Sequence, residues 1–152
     1  PTDVNVFLGQ TTGEYEERLA AKQLAICLTP AEGTPRISAD GRLLWRVFEN
    51  LFSNIQKYAQ PGTRVYLTCQ ATDEQVTIIF RNISAEPLNI SADELMERFV
   101  RGDASRNTEG SGLGLSIARS LTQLQHGTFA LAVDGDLFKA ILPFPRLRDG
   151  EG

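Results

Sequence analysis

Four polar side chains recur at one-turn spacing along an otherwise apolar stretch of the sequence. Arg46, Asn50 and Asn54 are each four residues apart. Lys57 follows three residues after the last of them. Side chains at this spacing share one face of a helix. An asparagine oxygen is a hard, neutral ligand that suits Mg²⁺, and a lysine one turn on can meet a phosphate as a point charge. The pattern therefore indicates a phosphate and magnesium site, with an ordinary solvated helix face as the alternative.

A second candidate site is the glycine-rich segment Gly110-Ser-Gly-Leu-Gly-Leu-Ser116, which precedes a predicted helix. Glycines let a backbone approach a phosphate closely, and the free N–H groups of a helix start favour anions. The segment is not a Walker loop, because no Gly-Lys-Ser/Thr follows it. It is not a dinucleotide-binding fingerprint either, because a polar loop rather than a strand precedes it. A phosphate cradle and a simple helix-entry turn both stay open.

The elements that must position these groups follow from the spacing of apolar residues. Helices are predicted at residues 4–23, 41–58 and 113–125, with Asp40 as an N-cap and Gly127 as a helix stop, and a capping box at 91–94 begins a short helix to about residue 98. Strands are predicted at 24–29, 64–70, 75–82, 128–133 and 137–144, with a brief return strand at 36–39. Residues 101–112 read as a mobile loop. This order predicts an α/β (α+β) fold, a two-layer sandwich with helices on one face of a mixed sheet.

Composition sets the class of protein. The 152 residues are 41% hydrophobic and 22% charged, which suits one globular domain over residues 1–152. A net charge of -4 without a basic stripe argues against nucleic acid as a partner. No apolar run approaches the roughly 18 residues of a membrane span, so no direct membrane contact is expected. Cys27 and Cys69 stand in apolar runs and predict buried thiols in a reducing compartment. His126, after a helix and beside Gly127, is predicted to be structural.

Together, these segments resemble the ATP-binding domain of bacterial two-component sensor histidine kinases, of the GHKL ATPase superfamily that includes gyrase B and MutL. The predicted helix resembles the family's N box, Asn-Leu-x-x-Asn-x-x-Lys-Tyr, over Asn50–Tyr58. Glu97–Asp103 resembles the F box, with Phe99 as its aromatic residue. Gly110–Ala118 resembles the G2 box, and Gly135–Pro143 is similar to the family's closing strand.

The resemblance implies ATP and Mg²⁺ as cofactors and a histidine-kinase/gyrase-type ATPase fold. It implies that Asn54 holds Mg²⁺, and that Asn50, Lys57 and Arg101 face the phosphates as the catalytic residues. Tyr58 would line the adenine or ribose side, and the segment from Phe99 to Thr108 would act as a lid. The backbone of Gly110, Ser111, Gly112, Leu113, Gly114 and Leu115 would wrap the triphosphate.

One motif departs from the family's pattern. The G1 box of the family is usually Asp-x-Gly-x-Gly, whose carboxylate accepts a hydrogen bond from the adenine amino group. Here Asn82 stands at the Asp position and Ser84 at the first Gly. An asparagine oxygen can still accept that hydrogen bond, but without charge assistance it is the weaker acceptor.

The implied function is transfer of the γ-phosphoryl group of ATP to a histidine on a separate helical dimerisation domain, for two-component signalling through a response regulator. The isolated chain is expected to bind ATP without phosphorylating itself. The start at Pro1 favours a piece of a longer kinase, cytoplasmic and attached to a membrane anchor. Two alternatives stay open: a pseudokinase-type scaffold, and a stand-alone anti-sigma-type serine kinase. A gyrase-like or MutL-like ATPase is disfavoured because Asn50 replaces the general-base glutamate of those enzymes.

Overall fold

The computed structural model describes residues 1–85 and 113–148. The predicted short helix and lid, with Gly110 and Gly112, lie outside the described residues. The helices are α1 (Val4–Ala20), α2 (Gly41–Tyr58) and α3 (Leu113–Leu124). The strands are β1 (Thr2–Asp3), β2 (Ala25–Thr29), β3 (Arg36–Ile37), β4 (Arg64–Ala71), β5 (Gln75–Ile83), β6 (Ala130–Asp134) and β7 (Leu137–Pro145).

Five strands form one mixed sheet in the order β2-β4-β5-β7-β6. β2 and β4 are parallel, and the other neighbours are antiparallel. A parallel pair needs a crossover connection, and α2 lies within the segment that links β2 to β4. β1 and β3 pair separately as a short antiparallel ribbon.

The alternation of burial along β5 shows why one face of the sheet holds the core. The even-numbered residues from Val76 to Ser84 are buried, and the residues between them are more exposed. Successive residues of a strand point to opposite faces, so one face of β5 lies beneath the helices. There the ring of Phe80 contacts Phe48 and Phe52 of α2, with centroids 5.0 and 5.5 Å apart. Truncating such a buried ring to alanine costs about 3–5 kcal/mol. The predicted two-layer arrangement, helices on one face of a mixed sheet, is confirmed.

α1 packs along one side of α2 through aromatic rings. Phe7 lies edge-on to Trp45 and Phe48, with centroids 5.9 and 4.9 Å apart. Tyr15 stacks on Phe52 at 4.6 Å. Burial raises the pKa of the Tyr15 hydroxyl, with Glu49 adding to the rise.

Local sequence determines where α2 begins and ends. The Asp40 carboxylate accepts hydrogen bonds from the backbone N–H groups of Arg42 at 2.8 Å and Leu43 at 3.4 Å, which confirms the predicted N-cap. The apolar residues recur every three or four positions and form the buried face. After Tyr58 the chain turns at Gly62, whose φ of +86° suits glycine. The buried residues of α2 are Leu44, Val47, Phe48, Leu51, Phe52 and Ile55.

The predicted end of α1 at residue 23 was wrong. The helix ends at Ala20, because Gln23 has a φ of +61° that a right-handed helix does not allow. The N–H of Leu24 then donates to the carbonyl of Leu19 at 2.9 Å and closes the turn. The other predicted elements among the described residues agree to within about two residues, the uncertainty of any helix or strand boundary.

The helix stop at Gly127 has a different basis from the one predicted. His126, rather than Gly127, adopts the left-handed conformation, with a φ of +70°. Gly127 is required by packing instead. A Cβ there would lie 2.6 Å from the Phe144 ring and 2.9 Å from the Thr122 methyl group.

The two thiols differ in exposure. Cys69 is buried as predicted, and burial raises the pKa of its thiol. Cys27 is only half-buried, because it lies on the face of edge strand β2 that the described helices leave uncovered. Among the described residues, no helix is long and apolar enough to cross a membrane.

Candidate functional site

α3 packs against α2. Gln125, directly after α3, accepts a hydrogen bond from the backbone N–H of Asp40 at 3.0 Å. The amide group of Gln125 also donates to the carbonyl of Leu121 at 3.0 Å, and this side chain is only 5% exposed. The end of α3 is thereby joined to the start of α2.

This link determines which residues of α2 lie beside the start of α3. The 12 residues of α3 rise about 18 Å from the link, and the same rise along α2 reaches the turn that holds Asn54. Since α3 packs on α2 from this link, we expect its start to lie near the turn of α2 that holds Asn54. The N–H groups of the first turn of a helix have no partner within the helix, and they carry a partial positive charge.

The asparagine stripe lies on the side of α2 opposite α1. Asn54 follows Trp45, which contacts α1, by about two and a half turns, so the two side chains point in opposite directions. Asn50 and Asn54 are half-buried, and Lys57 is exposed. Side-chain exposure therefore increases toward the end of α2, and both asparagine amides lie at the edge of the core, where they can reach a ligand.

The end of β5 is joined to the end of α2. The N–H of Ala85 donates to the carbonyl of Tyr58 at 2.8 Å, and the N–H of Gln60 donates to the carbonyl of Ile83 at 2.7 Å. Ser84 forms a bridge with Ala59 between these bonds. The last turn of α2 and the last residues of β5 thus form one hydrogen-bonded corner.

Asn82 lies on the helix-facing side of β5 at this corner. It stands between Phe80, which contacts Phe52, and Ser84, which pairs with Ala59. It is 4% exposed, and among the described residues its side-chain amide makes no hydrogen bond. The fully buried side-chain atoms that lack a partner among the described residues do not include those of Asn82, so its amide keeps some exposed polar surface. A ligand can reach the amide there.

The structure places the described part of the predicted site on three elements. Asn50, Asn54, Lys57 and Tyr58 lie on the second half of α2, and Asn82 and Ser84 lie at the end of β5, which is bonded to the end of α2. Leu113, Gly114 and Leu115 begin α3, which packs against α2. Leu115 is 1% exposed, so only its backbone can face a ligand there. Phe99, Arg101, Gly110, Ser111 and Gly112 lie outside the described residues.

Sequence reasoning missed Gln125 as a residue that positions the site. No local pattern distinguishes this glutamine from other polar residues at a helix end, because its partner Asp40 is 85 residues away in the sequence. A buried amide that caps another helix can be recognised only once the two helices are placed.

The family model for the histidine kinase-, DNA gyrase B- and HSP90-like ATPases matches residues 39–146. The chain belongs to this ATPase family. The matched range contains α2, β5 and α3, the three elements that hold the described site residues. The resemblance inferred from the N, F and G2 boxes is confirmed.

The similar proteins are sensor kinases. The sensor histidine kinase CusS of Escherichia coli O157:H7 is 34% identical over 112 residues, which are 71% of this chain and 23% of CusS. The chain therefore spans about a quarter of the length of such relatives.

The structural neighbours share the fold of this ATPase family. The catalytic domain of histidine kinase ThkA superposes with a TM-score of 0.79 at 21% identity, over 95% of this chain and 93% of that one. Full-length ShkA in complex with AMPPNP gives a TM-score of 0.78 at 24% identity, over 99% of this chain and 32% of ShkA. At these identities, the likeness establishes the fold alone.

Proposed function

We propose that this chain is the ATP- and Mg²⁺-binding catalytic domain of a sensor histidine kinase, and that it donates the γ-phosphoryl group to a histidine on a separate helical domain. The observation that carries the proposal is the hydrogen-bonded corner between the end of α2 and the end of β5, which holds Asn82, with Asn54 one turn earlier on α2 and α3 packed against α2. Family membership supports it, since these ATPases bind ATP. ShkA, whose structure is a complex with AMPPNP, gives further support because it has the same fold.

The phosphates are assigned to the space between α2 and the start of α3. The N–H groups of the α3 start attract an anion, and Lys57 adds a full positive charge one turn beyond Asn54. When bound, Mg²⁺ neutralises phosphate charge, and the half-buried Asn54 offers it an oxygen ligand. Asn50 is positioned one turn away to hydrogen-bond a phosphate oxygen, and Arg101 is assigned the same region by the F-box resemblance alone.

The adenine is assigned to the side of the corner formed by Asn82. Its buried amide oxygen, which receives no hydrogen bond from the described residues, can accept one from the adenine amino group. Tyr58 is 40% exposed at the same corner and can cover the base or ribose. Loss of one neutral hydrogen bond changes affinity by about 0.5–1.5 kcal/mol, or roughly 2- to 12-fold in Kd.

The phosphoacceptor must come from another domain. His126 is the single histidine of the sequence and follows the C-terminal end of α3. The phosphates are assigned to the other end of that helix, about 18 Å away. In-line transfer needs the reacting atoms about 3–3.5 Å apart, so His126 cannot accept the group. A helical dimerisation domain is therefore the proposed acceptor, and a response regulator is the next partner.

Nucleotide binding is tested by titration calorimetry with AMPPNP, with and without Mg²⁺. We expect Mg²⁺-dependent binding that Asn54→Ala reduces sharply. Asn82→Ala should raise the Kd by roughly 2- to 12-fold, the effect of losing one neutral hydrogen bond. Gln70→Ala, an exposed amide on the opposite face of the sheet, is the matched control and should leave the Kd unchanged. Equal affinity in wild type and Asn54→Ala would sink the assigned site.

A scaffold that binds nucleotide without phosphoryl transfer is the second candidate, and the neutral Asn82 at the adenine position favours it. Radiolabelled ATP separates the two. We expect label on a sensor-kinase phosphoacceptor domain supplied in trans and none on the chain alone. Tight Mg²⁺-dependent binding without label on any acceptor domain would favour the scaffold. Label on the isolated chain would contradict the argument from His126.

A further inference from the structure

The sheet has a second face that the described helices leave uncovered. The register places Tyr66 of β4, Arg81 of β5, Lys139 of β7 and Ala132 of β6 in one row across this face. All three described helices pack on the opposite face, where the buried residues of the central strands β4, β5 and β7 lie. The nucleotide site belongs to that helical layer, so the uncovered face is separate from it.

Positive charge is concentrated on this face. The Arg81 guanidinium lies 5.2 Å from the centroid of the Tyr66 ring. Arg64 lies two residues before Tyr66 on the same face of β4, and the nearby Tyr66 hydroxyl raises the pKa of the Arg64 guanidinium. Two arginines therefore lie beside the Tyr66 side chain. Lys139 stands directly opposite Arg81 on the adjacent strand.

Two features show that these cations are incompletely compensated. Like charges directly opposite each other on neighbouring strands repel and destabilise the sheet. Among the described residues, the Nε of Arg81 is buried and has no hydrogen-bond partner. Of the described strand residues, Asp134, at the edge on β6, is the one carboxylate that the register places on this face. The whole chain, by contrast, has a net charge of -4.

Paired apolar side chains flank the cationic row on both sides. Ile79 pairs with Ile141 on one side, and Ile83 pairs with Leu137 on the other. All four are partly exposed. Two apolar strips with cations between them match a helix face on which carboxylates lie between apolar side chains.

We propose that this face docks an acidic amphipathic helix of a protein partner, with carboxylates placed on Arg64, Arg81 and Lys139. A second copy of the chain fits less well, because two such faces would set cations against cations. An anionic lipid surface fits less well too. The chain is acidic overall, so an anionic surface repels it as a whole.

The probe is a synthetic amphipathic helical peptide whose binding face has glutamates between leucines, and its control has glutamine at every glutamate position. Protein labelled at isoleucine methyl groups is titrated with each peptide and followed by NMR. We expect shifts at Ile79 and Ile141 with the acidic peptide, at least tenfold weaker binding of the glutamine peptide, and weaker binding at high salt. Absence of shifts, or equal binding of both peptides, would overturn the proposal.

The variant Lys139→Glu distinguishes a loss of peptide binding from a loss of folding stability. It replaces the repulsion opposite Arg81 with an attractive pair, so we expect a higher Tm together with at least tenfold weaker binding of the acidic peptide. Lys22→Glu, an exposed charge reversal beyond the end of α1, is the matched control and should leave binding within twofold. Unchanged binding by Lys139→Glu would overturn the proposal. The proposal would also be overturned if the wild-type protein self-associated or bound phosphatidylserine vesicles and Lys139→Glu abolished that behaviour. A second copy or a membrane would then be the occupant of the face.

Discussion

Replacing Gly127 with alanine adds one methyl group where three side-chain atoms already converge. The new Cβ would lie 2.6 and 2.8 Å from two ring carbons of Phe144 and 2.9 Å from the methyl carbon of Thr122. Ordinary carbon contacts lie at about 3.5–4.0 Å, so the neighbours would have to move by roughly 1 Å. Neither can move freely, because Phe144 is 1% exposed and Thr122 is fully buried. Overpacking of this kind costs about 1–3 kcal/mol of unfolding free energy.

Gly13→Ala is the matched control. Gly13 lies inside α1, and no atom comes within 4 Å of a Cβ built there. The same substitution should stabilise the protein by roughly 0.5–1 kcal/mol, because alanine is the better helix former. Urea unfolding measures both variants, and the midpoint should fall for Gly127→Ala and rise for Gly13→Ala, with m unchanged.

A second substitution identifies the clash as the cause. In a Phe144→Leu background the ring carbons are absent, so the added cost of Gly127→Ala should shrink to less than about 1 kcal/mol. An equal cost in both backgrounds would refute the packing argument, and so would a neutral Gly127→Ala in the wild type.

Two further predictions follow from buried polar groups. Gln125→Leu leaves the N–H of Asp40 without its partner and should lower the unfolding free energy by about 1–2 kcal/mol. It should also weaken AMPPNP binding, since the link aligns α3 with Asn54. Urea unfolding and calorimetry measure the two effects. As a control, Gln123→Leu, at an exposed position, should change neither the unfolding free energy nor the Kd for AMPPNP. For Cys69, burial raises the pKa of the folded thiol above its ordinary value of 9.0. The thiol's contribution to stability is therefore complete below that value and is lost as pH rises through the higher folded pKa. Urea midpoints between pH 7 and 10 should show a decline that Cys69→Ala reduces and Cys27→Ala keeps; an undiminished decline in Cys69→Ala would contradict this assignment.

Local patterns sufficed where neighbours in the sequence are also neighbours in space. The bounds of α2, its Asp40 cap and its asparagine stripe all follow from residues within a few turns of one another. The same is true of the hairpin turn at Gly135, whose φ is +63°. The site residues on α2 could therefore be named from the N-box pattern alone.

Contacts between distant segments could not be read in the same way. The sequence shows a glycine after α3, but the atom that forbids a side chain there belongs to Phe144 on β7. The charged row on the uncovered face depends on strand register, and a slip of one residue would move Arg81 to the other face. The position of Asn82 in a hydrogen-bonded corner likewise depends on bonds between α2 and β5.

Because Gln125 is hydrogen-bonded to Asp40, the length of α3 sets the position of its other end relative to α2. One end of the helix is anchored at the start of α2, and the other end sets how far along α2 its N–H groups point. Deleting one residue from α3 would draw its start back by about 1.5 Å and turn it by about 100°. The helix could still form and bury its apolar face in part, while its start would shift relative to Asn54. The length of α3 thus determines where along α2 its N–H groups lie.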